Sequence, residues 1–145
     1  MTDAEWLHDV LSDEECHRLL ETASVGHLAY TDGALPAILP VRYAVHDRRV
    51  VVAARRNGSL AAALRGAVVA FGIDSWNGEL RTGWGVTVVG PALIVSRPAE
   101  VHLLDEVTAP GLHRSEQSCY VSIRAELVHG WRTTAPLPDP VHGPA

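Results

Sequence analysis

Gly26-His-Leu-Ala-Tyr-Thr31, then Asp32-Gly33, then the run 35–45, reads as two strands joined by a tight turn. Pro36 and Pro40 stand inside the second run, and proline has no amide hydrogen to give to a ladder. That strand is expected at a sheet edge, beside a bulge, or starting late. His46-Asp47-Arg48-Arg49 makes the next turn, and 50–54 is a short strand of buried type. Asn57-Gly58-Ser59 then breaks the chain ahead of Leu60-Ala-Ala-Ala-Leu64-Arg65, a strong helix former closed by Gly66. A strand thus leads through a tight loop into a helix.

Upstream of this core stretch, Ser12 and Glu15 have the spacing of a capping box, in which each side chain satisfies an orphan amide at a helix start. Cys16, Leu19, Leu20 and Ala23 follow at helical spacing as one apolar stripe, and Trp6 is expected to anchor the packing just before it. Downstream, 67–73 and 85–95 read as strands joined by an irregular polar segment, 74–82. Arg97-Pro98-Ala99-Glu100 opens a helix through Leu104, and 120–129 alternates as the last strand. Six closely spaced strands with a few short helices predict a mainly β fold, a small six-stranded barrel rather than a parallel α/β sheet. One domain is expected over 1–135. The tail 136–145 holds four prolines and cannot supply a helix or sheet of its own.

Composition narrows the function by exclusion. All 12 basic residues are arginine, so there is no phosphate-loop lysine, no Schiff-base lysine and no lysine base. The net charge is −5 and only Arg48-Arg49 and Arg55-Arg56 are adjacent, which gives no basic stripe to track a nucleic-acid backbone. None of the eight histidines pairs with another at i, i+4, so a metal site is not expected. Gly58-Ser59 lacks the frame of a nucleophile elbow, and Val88 breaks the spacing of a dinucleotide-binding glycine motif across Gly83, Gly85 and Gly90. Cys16 and Cys119 are far apart, and the first residues carry neither a charged leader nor an apolar signal core, so a reducing, cytoplasmic setting is expected. Apolar stretches such as 67–71 fall far short of the ~20 residues of a spanning helix, and no membrane association is expected.

Two clusters can hold a ligand. Arg55, Arg56, Asn57 and Ser59 place cationic and hydrogen-bonding groups just before a helix N-terminus, where an anionic phosphate is favoured. Trp84 lies between Gly83 and Gly85, which leave room for a planar ligand to approach the backbone.

The order of these motifs is the more specific signal. A capped helix, Val25-Gly-His-Leu-Ala29, Leu39-Pro-Val-Arg-Tyr43, Asn57-Gly-Ser-Leu60, and Gly83-Trp-Gly-Val86 with Gly90 follow one another between about residues 11 and 132. This series resembles the pyridoxamine 5'-phosphate oxidase-like superfamily, the FMN-binding split barrels. The resemblance implies a homodimer with flavin in clefts between the subunits. Pro40, Val41, Arg42 and Tyr43 match the strand that lines the isoalloxazine, and 53–59, with Arg55, Arg56, Asn57 and Ser59, matches the phosphate-holding segment. The stretch 82–86, with Trp84 and Gly85, matches a border of the ring, and Trp131 matches a region near the cofactor. Two positions depart from the pattern: Ser59 stands where lysine is frequent, and Gly85 where serine or glutamine is common. Phosphate binding is thereby left to the arginines. The implied activity is FMN-dependent redox chemistry on a small molecule other than pyridoxamine 5'-phosphate, because the oxidase's substrate-binding residues near its C-terminus have no counterpart. The alternatives are a deazaflavin-dependent reductase and a non-catalytic module that holds flavin or haem.

Overall fold

The computed structural model describes residues 8–108 and 111–133. Trp6 and the tail 136–145 lie outside the described residues. Elements in chain order are β1 (His8–Val10), α1 (Asp13–Leu20), β2 (Val25–Asp32), β3 (Leu35–Arg42), β4 (Ala44–His46), β5 (Arg49–Arg55), α2 (Ser59–Leu64), β6 (Val68–Asn77), β7 (Thr82–Ile94), α3 (Pro98–Val107), β8 (Ser118–Arg124) and β9 (Leu127–Thr133). Hydrogen-bonded neighbours run β3-β2-β6-β7-β8-β5-β4, and β9 lies between β7 and β1. None of the described helices is long and apolar enough to cross a membrane.

The local reasons follow the sequence closely. The Ser12 hydroxyl accepts the Glu15 amide at 3.2 Å, and Cys16, Leu19 and Leu20 face the core, while Ala23 falls beyond the helix and is exposed. The first hairpin turns over Gly33-Ala34, with Gly33 at φ +65°, the first-position conformation that the right-handed twist of a two-residue hairpin demands. β3, with its two prolines, ends the strand order. It is the edge the prolines require.

The strand count is nine rather than the expected six. The run 35–45 breaks at Tyr43, whose amide donates to the Ser24 carbonyl at 3.0 Å and whose side chain turns inward. The run 120–129 breaks at 125–126, where the Glu126 amide donates to the Val89 and Arg124 carbonyls and turns the chain into β9. β1 is a three-residue addition beside β9 that carries no period of its own. The segment 74–82 is not irregular: β6 and β7 continue their ladder to Asn77↔Thr82, and the Asn77 side chain closes the turn by accepting the Leu80 amide at 2.9 Å. α3 likewise runs past Leu104 to Val107.

Register sorts the sheet into rows. Leu39, Leu28, Phe71, Val88 and Val128 are opposite one another across β3, β2, β6, β7 and β9, and the middle three are fully buried. One residue along each strand, Ile38, Ala29, Ala70, Val89 and Leu127 form the next row on the opposite face. Ile38 is 71% and Leu127 55% exposed, so this apolar row faces outward.

β7 joins the two halves of the barrel. Its first part pairs with β6 and β9, and its last part, from Ala92, pairs with β8. At the crossing, a Cβ on Gly90 would stand 1.7 Å from the Arg124 carbonyl oxygen. Since that contact is to backbone, Gly90→Ala is expected to cost about 3 kcal/mol or more, read as the urea midpoint. Gly78→Ala, where nothing lies within 4 Å of the added atom, is the control and should change stability by less than about 0.5 kcal/mol. Equal midpoints for the two variants would refute the crossing as a close one.

Candidate functional site

The break after β3 brings three segments together. Val41 and Arg42 at the end of β3, Ala53 on β5 and Leu60 on α2 line a cleft of 480 Å³. Its far wall is the loop after α3, through Gly111, Leu112 and His113. The floor is apolar, from Leu39, Val41, Ala53, Leu60 and Leu112, and the polar groups are the exposed Arg42 and His113. Four other clefts hold 200 to 290 Å³. An apolar pocket of a few hundred Å³ with few polar groups is the usual form of a small-molecule site.

A polar clamp fixes the loop wall. Arg114 grips Asp105 of α3 through two bonds, Nη2 to Oδ2 at 2.9 Å and Nε to Oδ1 at 3.1 Å, and its guanidinium lies 5.6 Å from the centroid of the Tyr120 ring. The Tyr120 hydroxyl donates to Asp105 Oδ1 at 2.7 Å. Thr108 adds a buried link, donating to the Leu104 carbonyl at 2.6 Å, with the Leu112 carbonyl 3.2 Å away. The bidentate fork sets orientation as well as charge pairing. His113 is thereby held beside a rigid neighbour.

The residues singled out in the sequence do not all meet here. Val41 and Arg42 line the large cleft. Pro40 is exposed on β3, and Arg55 and Ser59 are exposed on the chain between Ala53 and Leu60 and do not line the cleft. Ser59 is the first helical residue of α2, behind Gly58 at the cap. Asn57 adopts φ +60°, a conformation that asparagine tolerates better than most side chains. Arg56 turns away: its amide donates to the Gln117 carbonyl at 2.7 Å and its Nη2 to the Ser118 carbonyl at 3.3 Å. With Asn57 it lines a second cleft. Tyr43 is buried, its hydroxyl donates to the Leu20 carbonyl, and its ring meets Phe71 edge-on at 4.6 Å. Burial pushes that phenol up to about 12, which keeps it a donor in the core.

Trp84 packs partly against the core and lines a third cleft, with Ser75, Asn77, Thr82, Arg132 and Thr133. The glycines around it make room for planar groups, as the sequence implies, but those groups are this chain's own indoles. A Cβ on Gly83 would lie 2.4 Å from the Trp76 ring, and one on Gly85 would lie 2.7 Å from the Trp131 ring.

Sequence reasoning missed the wall at 111–113. Nothing in the spacing of Gly111-Leu112-His113 ties it to β3, since the link is made through Asp105, Arg114 and Tyr120 in three dimensions.

The family model for pyridoxamine 5'-phosphate oxidase matches residues 12–132. The chain belongs to the pyridoxamine 5'-phosphate oxidase-like family. It is 35% identical over 130 residues to the uncharacterised protein Rv0080 of Mycobacterium tuberculosis, covering 86% of this chain and 85% of that one. The same fold occurs in an FAD-binding protein from Mycobacterium smegmatis, with a TM-score of 0.71 at 24% identity over 86% of this chain and 96% of that one. It occurs also in the flavocytochrome Anf3 from Azotobacter vinelandii, with a TM-score of 0.78 at 16% identity over 96% of this chain and 75% of that one.

The clamp carries a pH signature. Arg114 first, and the Tyr120 hydroxyl second, hold the Asp105 carboxyl down from its ordinary 3.8 to about 2. A depressed carboxylate contributes stability that is complete above its unfolded value and is lost as pH falls through the folded one. Between about pH 4 and pH 2 the urea midpoint of the wild type should therefore fall more steeply than that of Asp105→Asn. Parallel profiles would show that the clamp does not form.

Proposed function

We propose that this chain is a flavin-binding oxidoreductase that uses FMN in the 480 Å³ cleft and acts on a small molecule. One observation carries the reading: β3, β5, α2 and the loop after α3 converge on a single apolar cleft with Arg42 at its rim, in a chain of this family. The lining fits the group. Leu39, Val41, Ala53, Leu60 and Leu112 offer apolar contact to a ring, and Arg42 offers a charged donor to its polar edge or to the phosphate. Arg55 and Ser59, exposed on the chain between the cleft-lining Ala53 and Leu60, are the further phosphate ligands in this reading.

Bound flavin would supply the transfer of electron pairs. The protein's part is to bind, orient and shield. The apolar floor excludes water from one side of the cleft, and the Asp105–Arg114 clamp keeps the opposite wall in place.

Purified protein is expected to release FMN on denaturation. Arg42→Ala combined with Arg55→Ala should weaken FMN binding by about tenfold or more, as read by fluorescence quenching. Unchanged affinity in the double variant would sink this assignment.

A homodimer is part of the proposal. The outward row of Ile38, Ala29, Ala70, Val89 and Leu127 is flanked on the same face by Val25, 51% exposed, and Val68, 68% exposed. An apolar surface of this extent on a sheet is what a second copy would cover. Light scattering should give twice the 15.6 kDa of one chain, and Ile38→Asp with Val68→Asp should return it to one. A wild-type chain that is monomeric at micromolar concentration would contradict this.

A further inference from the structure

The cleft that takes Arg56 away from the proposed flavin site has a chemistry of its own. It holds 200 Å³ and lies on the other flank of α2, against the end of β7 and the start of β8. Leu60 faces the large cleft, whereas Ala61 and Arg65, one turn apart, face this one. Three guanidinium-bearing side chains line it: Arg56, Arg65 and Arg114. No carboxylate is among the described residues that line it.

The charges can be followed one by one. Arg114 is neutralised by Asp105, whose two oxygens it occupies. Arg56 makes no ion pair with a described residue and spends one donor on the Ser118 carbonyl. The Arg65 backbone amide donates to the Ala61 carbonyl at 3.1 Å, but its guanidinium makes neither a hydrogen bond nor an ion pair with any described residue. Two cationic charges thus converge on one concavity of a chain whose net charge is −5. Beneath them the surface is apolar, from Ala61, Ile94, Val95, Val101 and the Tyr120 ring.

We propose that this cleft is a second binding site, for the phosphate monoester of a small organic molecule. At neutral pH a phosphate monoester carries about −1.5 to −2, which matches two uncompensated guanidinium groups, whereas a single carboxylate leaves one of them unmatched. Guanidinium groups bind phosphate oxygens through paired donors, and the apolar floor gives the organic part a contact surface. The fixed Arg114 edge and the Ser96 hydroxyl and Asn57 amide at the rim supply further donors. The carrier of the phosphate is a free, metabolite-sized phosphomonoester.

Phenyl phosphate is the probe, titrated calorimetrically into the full chain at low salt, without flavin and with saturating FMN. Wild type should bind it with a dissociation constant below about 1 mM, and benzoate should bind about tenfold more weakly. Arg65→Gln should weaken phenyl phosphate about tenfold while FMN affinity stays at the wild-type value, and Arg65→Lys should recover most of the loss. Saturating FMN should leave phenyl phosphate binding unchanged, and loss of that binding in the FMN-loaded protein would overturn the proposal by making the cleft part of the flavin site. No saturable binding up to about 10 mM overturns the proposal. Equal affinity in wild type and Arg65→Gln also overturns it, as does a parallel loss of FMN affinity, which would make the cleft part of the flavin site. The titration without flavin keeps this test standing if the flavin reading itself fails.

Discussion

The fold depends on one close passage of backbone over backbone. β7 is 13 residues long and belongs to both halves of the barrel, so it has to leave one ladder and enter another without interrupting its own extended course. Gly90 makes this possible, because the Arg124 carbonyl occupies the space any side chain there would need. The turn at 125–126 is locked to the same point by the Glu126 amide, which donates to the Val89 carbonyl. Wherever β7 goes, β8 and β9 are fixed with it. The barrel is split at this strand because a continuous ladder cannot follow both directions.

The binding surfaces are consequences of that split. β8, carried away from β9, pairs with β5 along its whole length and holds β5, the 56–58 loop and α2 against the end of β7. α2 then has a cleft on each flank. β3, the proline-bearing edge, has no strand partner among the described residues beyond β2, and its last residues, paired with β2 on one side, line a cleft. An edge strand left bare is ordinarily a liability. Here its prolines limit pairing while its apolar side chains contribute one wall of the cleft and one end of the outward row.

Much of this was legible in the sequence where the signal was local. Ser12 and Glu15 place a helix start, Pro36 and Pro40 place an edge, Gly33 and Gly66 mark ends, and each depends on residues within one turn of itself. What was not legible depends on partners far along the chain. Tyr43 reads as one more residue of a strand, and only the Ser24 and Leu20 carbonyls draw it into the core and end β3. Segment 74–82 reads as irregular because its polar residues lack alternation, although ladder pairing with β7 continues to Asn77. The phosphate-type cluster of Arg55, Arg56, Asn57 and Ser59 is close in sequence, yet Arg56, tied to the Ser118 carbonyl, and Asn57 line the smaller cleft, while Arg55 and Ser59 are exposed and line neither. The tryptophans show the same limit. Trp84 can be read as a wall for a ring, but that Trp76 and Trp131 fill the room left by Gly83 and Gly85 is a fact of register between β6, β7 and β9.

The Asp105–Arg114–Tyr120 clamp acts on both clefts at once. On one side it fixes 111–113, the wall facing Arg42. On the other, Arg114 and Tyr120 form part of the arginine-lined surface. By occupying Arg114, Asp105 lowers the charge on that surface from three to two, and so changes which anion it suits. The same two bonds that set the shape of one cleft therefore set the charge of the other.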